Sequence, residues 1–84
     1  MESSSSLLNL VHIKYNSSEY IGQVLNGLRH GTGRLIYKSG RRYEGQWDSD
    51  QRHGQGKEIY ANGDSYVGNF AYGKADGKGI YTWK

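Results

Sequence analysis

The chain has 84 residues, 35% of them apolar, so it holds one small domain with a thin core. Thirteen Gly argue against long helices, and the absence of Cys excludes disulfides and thiolate metal sites. A net charge of +3, with 11 basic and 8 acidic residues spread evenly, is too mild for a nucleic-acid binder.

From the N-terminus, Met1-Glu2-Ser3-Ser4-Ser5-Ser6 lacks the basic region of a secretory signal, and the apolar stretch Leu7 to Val11 is short and broken by Asn9. Glu2 stands where myristoylation needs Gly. Asn16-Ser17-Ser18 matches a glycosylation sequon, but nothing nearby directs secretion. No run approaches the ~20 apolar residues of a membrane span. These features predict a cytoplasmic protein with residues 1–9 disordered. Leu10-Val11-His12-Ile13-Lys14-Tyr15 then reads as a cap strand or half-repeat within residues 10–19.

A repeat follows. Tyr20, Tyr43 and Tyr66 stand 23 residues apart, and each opens Tyr-x-Gly, with Gly22, Gly45 and Gly68. Two positions later comes a large apolar residue, Val24, Trp47 or Phe70. Next come His30-Gly31-Thr32-Gly33, His53-Gly54-Gln55-Gly56 and Asp76-Gly77-Lys78-Gly79, and each copy closes on Tyr37, Tyr60 or Trp83. Residues 20–42, 43–65 and 66–84 are therefore three copies. Tyr20, Gly22 and Val24 alternate with Ile21 and Gln23, the period of a strand, as do Gly33, Leu35 and Tyr37. Two strands of about five residues, separated by a loop of about eight, are expected per copy. Asn62-Gly63 predicts a type I′ turn between copies, with Lys38-Ser39-Gly40-Arg41 in the equivalent place. The Gly of Tyr-x-Gly leaves room for an aromatic ring from a neighbouring strand. Gly31, Gly33, Gly54, Gly56, Gly77 and Gly79 are expected at sharp bends with φ > 0. The last strand, Gly79 to Lys84, reads as an uncapped edge open to strand addition, or as the point where a longer repeat array continues.

This pattern resembles the MORN repeat (membrane occupation and recognition nexus) over residues 20–83, and over 10–83 with the half-repeat. Val24, Asp50 and Asp76 depart from the family's pattern, which leaves the fold intact and weakens any role for the His column. The resemblance implies an all-β fold, an elongated single-layer antiparallel meander of hairpins, each repeat advancing roughly 10 Å. It also implies binding or scaffolding, with no chemistry of its own, as in radial-spoke head proteins, junctophilins and cytoskeletal proteins of protists.

Candidate chemistry is sparse. His30, His53 and Asp76 lie in successive copies about 10 Å apart, too far to share a zinc with ~2 Å bonds. Gly31-Thr32-Gly33 lacks the helix that a phosphate loop needs. Glu44, Glu58 and Asp64 have no predicted pocket to tune them. No enzyme and no cofactor are expected.

Two surfaces remain. The aromatics exceed what one layer buries, and Trp47, Phe70, Tyr72 and Trp83 are the candidates for a protein-partner groove. Arg29, His30, Arg52, His53 and Lys74 line one loop edge, a candidate for anionic phospholipid or an acidic partner. The reading is a scaffold or adaptor docking a protein in a cytoskeletal assembly, with the ciliary or flagellar axoneme as its setting by family analogy. The alternative is a peripheral membrane adaptor that uses the basic edge.

Overall fold

Two turn chemistries alternate along the chain and fold it into a meander. In the computed structural model, which describes residues 10–84, the strands are β1 (Val11–Lys14), β2 (Ser18–Leu25), β3 (Leu28–Tyr37), β4 (Arg42–Asp48), β5 (Gln51–Ile59), β6 (Ser65–Ala71) and β7 (Lys74–Thr82). They form one antiparallel sheet in sequence order, with no helix among the described residues. The expectation of disorder over residues 1–9 falls outside the described residues.

Within each repeat the hairpin closes on two residues, Asn26-Gly27, Ser49-Asp50 or Tyr72-Gly73. Both residues have positive φ in every case, from 49° to 82°. This is type I′ geometry, whose twist matches that of the flanking strands. The expected eight-residue loop is thus a two-residue turn, with strands of 7 to 10 residues running up to it. Between repeats the turns are different. Gly40 N–H donates to Tyr37 O (3.0 Å) and Gly63 N–H to Tyr60 O (2.9 Å), and only the glycines have positive φ (99° and 98°). These are three-residue turns closed by a glycine bulge, so the type I′ expectation for Asn62-Gly63 is corrected. Asn62 instead spends its side chain locally, its Oδ1 accepting the Asp64 N–H at 2.9 Å.

A row of glycines crosses the sheet. Gly22 faces Gly33, Gly33 faces Gly45, and the row continues through Gly56, Gly68 and Gly79. Tyr20 lies flat over the Gly22–Gly33 pair, Tyr43 over Gly45–Gly56, and Tyr66 over Gly68–Gly79. A Cβ on Gly45 would come 2.5 Å from Gly56 Cα and 2.6 Å from Gln55 O, and one on Gly56 would come 2.3 Å from the Tyr43 hydroxyl and 2.5 Å from its Cε1. The ring therefore covers a glycine of its own strand as well as one of the neighbouring strand. Each hydroxyl donates to the carbonyl three residues on, Tyr20 to Gln23 (2.6 Å), Tyr43 to Gln46 (2.7 Å) and Tyr66 to Asn69 (3.2 Å).

The two glycines of Gly-x-Gly have different jobs. Gly31, Gly54 and Gly77 carry positive φ (79°, 92°, 72°) at a bulge in the register. Gly33, Gly56 and Gly79 do not, so the expectation of φ > 0 there is corrected: they are Gly because a ring lies on them. The bulge exposes a backbone donor, which a side chain satisfies. Gln23 Oε1 accepts the Thr32 N–H (2.9 Å) and Gln46 Oε1 the Gln55 N–H (2.7 Å).

The core is Tyr20, Leu35, Tyr43, Trp47, Tyr66 and Phe70, all on one face. Gly45→Val should destabilise the chain by at least about 3 kcal/mol in urea unfolding, since the clash is with backbone. Ser49→Ala, at an exposed turn, should change stability by less than about 0.5 kcal/mol. Burial pushes the Tyr20 and Tyr43 hydroxyls up from 10.0 to about 12. The unfolded chain then loses these protons first, so their stabilising effect is complete below pH ~10 and is lost as pH rises to ~12. Unfolding followed by circular dichroism should show this alkaline loss. Tyr20→Phe should be less stable at pH 7, yet lose less between pH ~10 and ~12.

Candidate functional site

Edge-to-face rings join the repeats. Centroids run Tyr20–Trp47 5.4 Å, Trp47–Tyr43 5.2 Å, Tyr43–Phe70 5.0 Å and Phe70–Tyr66 5.4 Å, with interplanar angles of 82° to 89°. Such pairs add about 0.5–1.5 kcal/mol each beyond burial. Trp47 Nε1–H also donates to Gly33 O at 3.1 Å. Each Trp or Phe thus seats between the tyrosine of its own repeat and that of the preceding one. Trp47 and Phe70 are 4% and 2% exposed, which overturns their expected place in a partner groove. Tyr72 and Trp83 are 77% and 76% exposed but do not form a common groove. Tyr72 sits at the turn before β7, edge-on to His53, and Trp83 packs on Tyr81 beyond the strand's other end.

The loop-edge cations divide in the same way. The Arg29 guanidinium lies 4.5 Å from the Trp47 ring centroid, and its Nε and Nη2 donate to Asp50 Oδ1 (2.6 Å) and Asp50 O (3.0 Å). Arg52 lies 5.5 Å from Tyr43 and 5.4 Å from Phe70 and donates to Gly73 O. Asp50 N–H and Gly73 N–H donate back to the Arg29 and Arg52 carbonyls (2.8 and 3.0 Å). Each of these arginines therefore fastens the hairpin turn of the following repeat. The expected open row of five cations is corrected, because two of them fold onto the aromatic face. Arg29 shares the strand face of Leu35, and Arg52 that of Glu58, at even spacing, so they face Val24 and Trp47 across the hairpins. His30 lies 3.6 Å from Asp48, and Lys74 is exposed.

Glu58, a carboxylate for which the sequence predicts no pocket, is enclosed by the sheet. It is buried (4% exposed) in the position that Leu35 fills one repeat earlier, facing Tyr43 and Tyr66. Arg41 Nε donates to its Oε2 (2.5 Å), and Arg52 Nη1 stands 3.1 Å from its Oε1. Arg41 also lies over the Tyr37 ring. Glu44 is exposed, 3.8 Å from both Arg34 and Arg42. Asp64 closes the end of the sheet, accepting from Lys84 N–H (2.9 Å) and Tyr81 Oη–H (3.2 Å). The Lys84 N–H, with Asn62 and Tyr81, holds the Asp64 carboxyl below its ordinary value. The three carboxylates do not form an acid–base pair.

Among the described residues no three His, Asp or Glu side chains converge as metal ligands. The depressions are shallow, and one of about 320 Å³ is lined by Leu10, Ile21, Gln23, Thr32, Arg34 and Glu44. No helix among the described residues is long and apolar enough to cross a membrane. A family model described as the MORN repeat matches residues 20–41, 43–65 and 66–84. No curated protein matches the chain.

The inward cations yield a graded expectation in thermal or urea unfolding. Arg52→Ala, which leaves a buried carboxylate half-partnered, should cost about 3 kcal/mol. Arg29→Ala should cost about 1 kcal/mol, its partner Asp50 being exposed. Lys74→Ala should stay within about 0.5 kcal/mol.

Proposed function

Given that the chain belongs to the MORN repeat family, we propose that it is a non-enzymatic scaffold or adaptor that docks a protein partner within a cytoskeletal assembly. The setting proposed is a ciliary or flagellar axoneme, in the manner of radial-spoke head proteins, and it rests on analogy with the family.

Tyr72 is the observation that carries the binding reading. It holds a left-handed backbone (φ 52°) while leaving its ring 77% exposed. A bulky residue in that region costs about 1–3 kcal/mol, and the edge-on contact with His53 offsets only part of it. Folding alone would favour Asn there, as at Asn26 in the first repeat. An exposed tyrosine held against its backbone preference has the chemistry of an interface anchor. Ile80, Tyr81 and Trp83 are exposed as well, at the far end of β7. The inward turn of Arg29 and Arg52, with Asp48 and Asp50 exposed at the middle turn, weakens the case for an anionic membrane.

Proximity labelling in ciliated cells tests the reading, with flotation on phosphatidylserine vesicles as its counterpart. The expected result is labelling of axonemal proteins and no flotation; salt-sensitive flotation without protein labelling would overturn it. Tyr72→Asn should raise stability by about 1 kcal/mol while lowering partner labelling. Unchanged labelling by this variant would remove Tyr72 from the interface.

A further inference from the structure

The junction between repeats is built the same way twice. At β3/β4, Leu35 faces Tyr43, Gly33 faces Gly45 and Gly31 faces Trp47. At β5/β6, Glu58 faces Tyr66, Gly56 faces Gly68 and Gly54 faces Phe70. In both, the incoming aromatic lands edge-on against the tyrosine of the earlier repeat, Trp47 on Tyr20 and Phe70 on Tyr43. β7 is the same kind of strand as β3 and β5, with Tyr81, Gly79 and Gly77 in the corresponding places. Among the described residues it pairs only with β6, and all nine of its residues are exposed. Among the described residues Tyr66 meets the ring of its own repeat, Phe70, and none from a later strand. It is 8% exposed where Tyr20 and Tyr43 are 0%, and its hydroxyl bond is longer than theirs.

We infer that the outer edge of β7 accepts one extended strand of a partner protein, of the pattern aromatic, β-branched, Gly, acidic, aromatic. This deepens the scaffold reading and rests on it. The two aromatics follow from the two junctions above, and the Gly repeats Gly45 and Gly68, which face Gly33 and Gly56 there. The other positions follow from the opposite face of the sheet. Ile80 is 70% exposed in the row that pairs Arg34 with Glu44 and Lys57 with Val67, so it faces the second residue of the incoming strand and favours Val or Ile. Lys78 holds the place of Thr32 and Gln55, which face Gln46 and Asn69, so it meets the fourth residue and favours an acid.

One feature separates a lone strand from a further hairpin repeat. Arg29 and Arg52 fasten the next repeat's turn through its backbone carbonyl, and the third repeat has Ala75 in that position. The β7 edge recognises a strand and has no group to hold a hairpin turn. The half of β7 from Gly79 to Thr82 carries no charge, whereas Lys74, Asp76 and Lys78 lie in the half nearer the turn. The strand therefore gains its apolar contacts on the first half and its charge pairing at Lys78.

The test uses the full chain, isotope-labelled for NMR, with a synthetic peptide centred on Tyr-Val-Gly-Glu-Trp. The amides of Gly77 to Thr82 should shift on titration and exchange more slowly with solvent, while those of β1 stay unchanged. Replacing the peptide's Trp by Ala should weaken binding about tenfold or more, because the ring that lands edge-on against Tyr66 is lost. Replacing its Glu by Lys should weaken binding less. Ile80→Lys, at an exposed site, should leave the melting temperature unchanged and abolish the shifts. Equal binding of a scrambled peptide, shifts spread over the sheet, or a concentration-dependent dimer of the chain that buries β7 would each overturn the inference. Ile80→Lys also separates the two proposals in cells. Axonemal labelling that survives this variant leaves the scaffold reading standing and overturns the strand acceptor. An absence of axonemal labelling by the unaltered chain sinks the scaffold reading, and the peptide titration still decides the edge.

Discussion

The tyrosine lying flat on a pair of opposed glycines is the contact on which the rest of this sheet depends. Without Cβ atoms along the row from Gly22 to Gly79, the backbone surface is low enough for a phenol ring to rest directly on it. The ring then serves as a floor for a Trp or Phe standing edge-on, and an arginine closes over that in turn. A three-tier core of ring, ring and guanidinium grows on one face of a single layer, which otherwise has nothing to bury against. Aromatic residues make this possible because each covers a large area with few rotatable bonds. An aliphatic side chain on the same glycine row would leave a gap beside it and forfeit dispersion contacts.

Coupling between repeats has a direction. The tyrosine belongs to the earlier repeat and the Trp or Phe to the later one. The arginine belongs to the earlier repeat and the turn it fastens to the later one. Stability in such an array is the sum of repeat and neighbour terms, so each junction can vary if its partners vary together. The pairs Arg41–Glu58 and Asp64–Tyr81 illustrate this, since they occupy equivalent positions one repeat apart. An arginine that donates to a buried acid becomes an acid that accepts from a phenol, so the pairing of positions is kept while donor and acceptor change places. The Asp64 version also takes in the Lys84 amide, tying the end of the sheet to the turn between the second and third repeats.

Much of this was legible from spacing alone, because the repeat forces identical chemistry at a 23-residue interval. The tyrosines, the Tyr-x-Gly glycines and the all-β meander follow from period and alternation, and the MORN family match covers the same three copies. What strict alternation could not show is the bulge at Gly31, Gly54 and Gly77. The fates of Arg29 and Arg52 follow from strand length: an eight-residue loop would leave them outside the sheet, but β3 and β5 run up to two-residue turns, and alternation then sets both on the face of Leu35 and Glu58. Trp47 and Phe70 were misplaced for a related reason. Counting aromatics against the area of one layer ignores that rings of adjacent repeats can bury one another. The two Asn-Gly pairs are the subtler case. Asn26-Gly27 adopts the two-residue turn that the dipeptide favours, while Asn62-Gly63 sits where one more residue separates the strands, so only its glycine turns left-handed.

A sheet assembled this way has little interior left for a site. Its rings fill the aromatic face, the opposite face is crossed by pairs such as Arg34–Glu44, and the depressions are shallow. Chemistry that recognises something else must then reside where the periodic rules are broken or left incomplete. The turn at Tyr72 breaks the rule that left-handed positions go to small or locally bonded residues, and it does so at full exposure. The edge of β7 departs from the junction rule, with an alanine, Ala75, where Arg29 and Arg52 fasten the following turn in the earlier repeats. Both departures fall in the third repeat, whereas the first two repeats spend their aromatics and arginines on one another. That asymmetry within a chain of near-identical units is why both proposals centre on one end of the array.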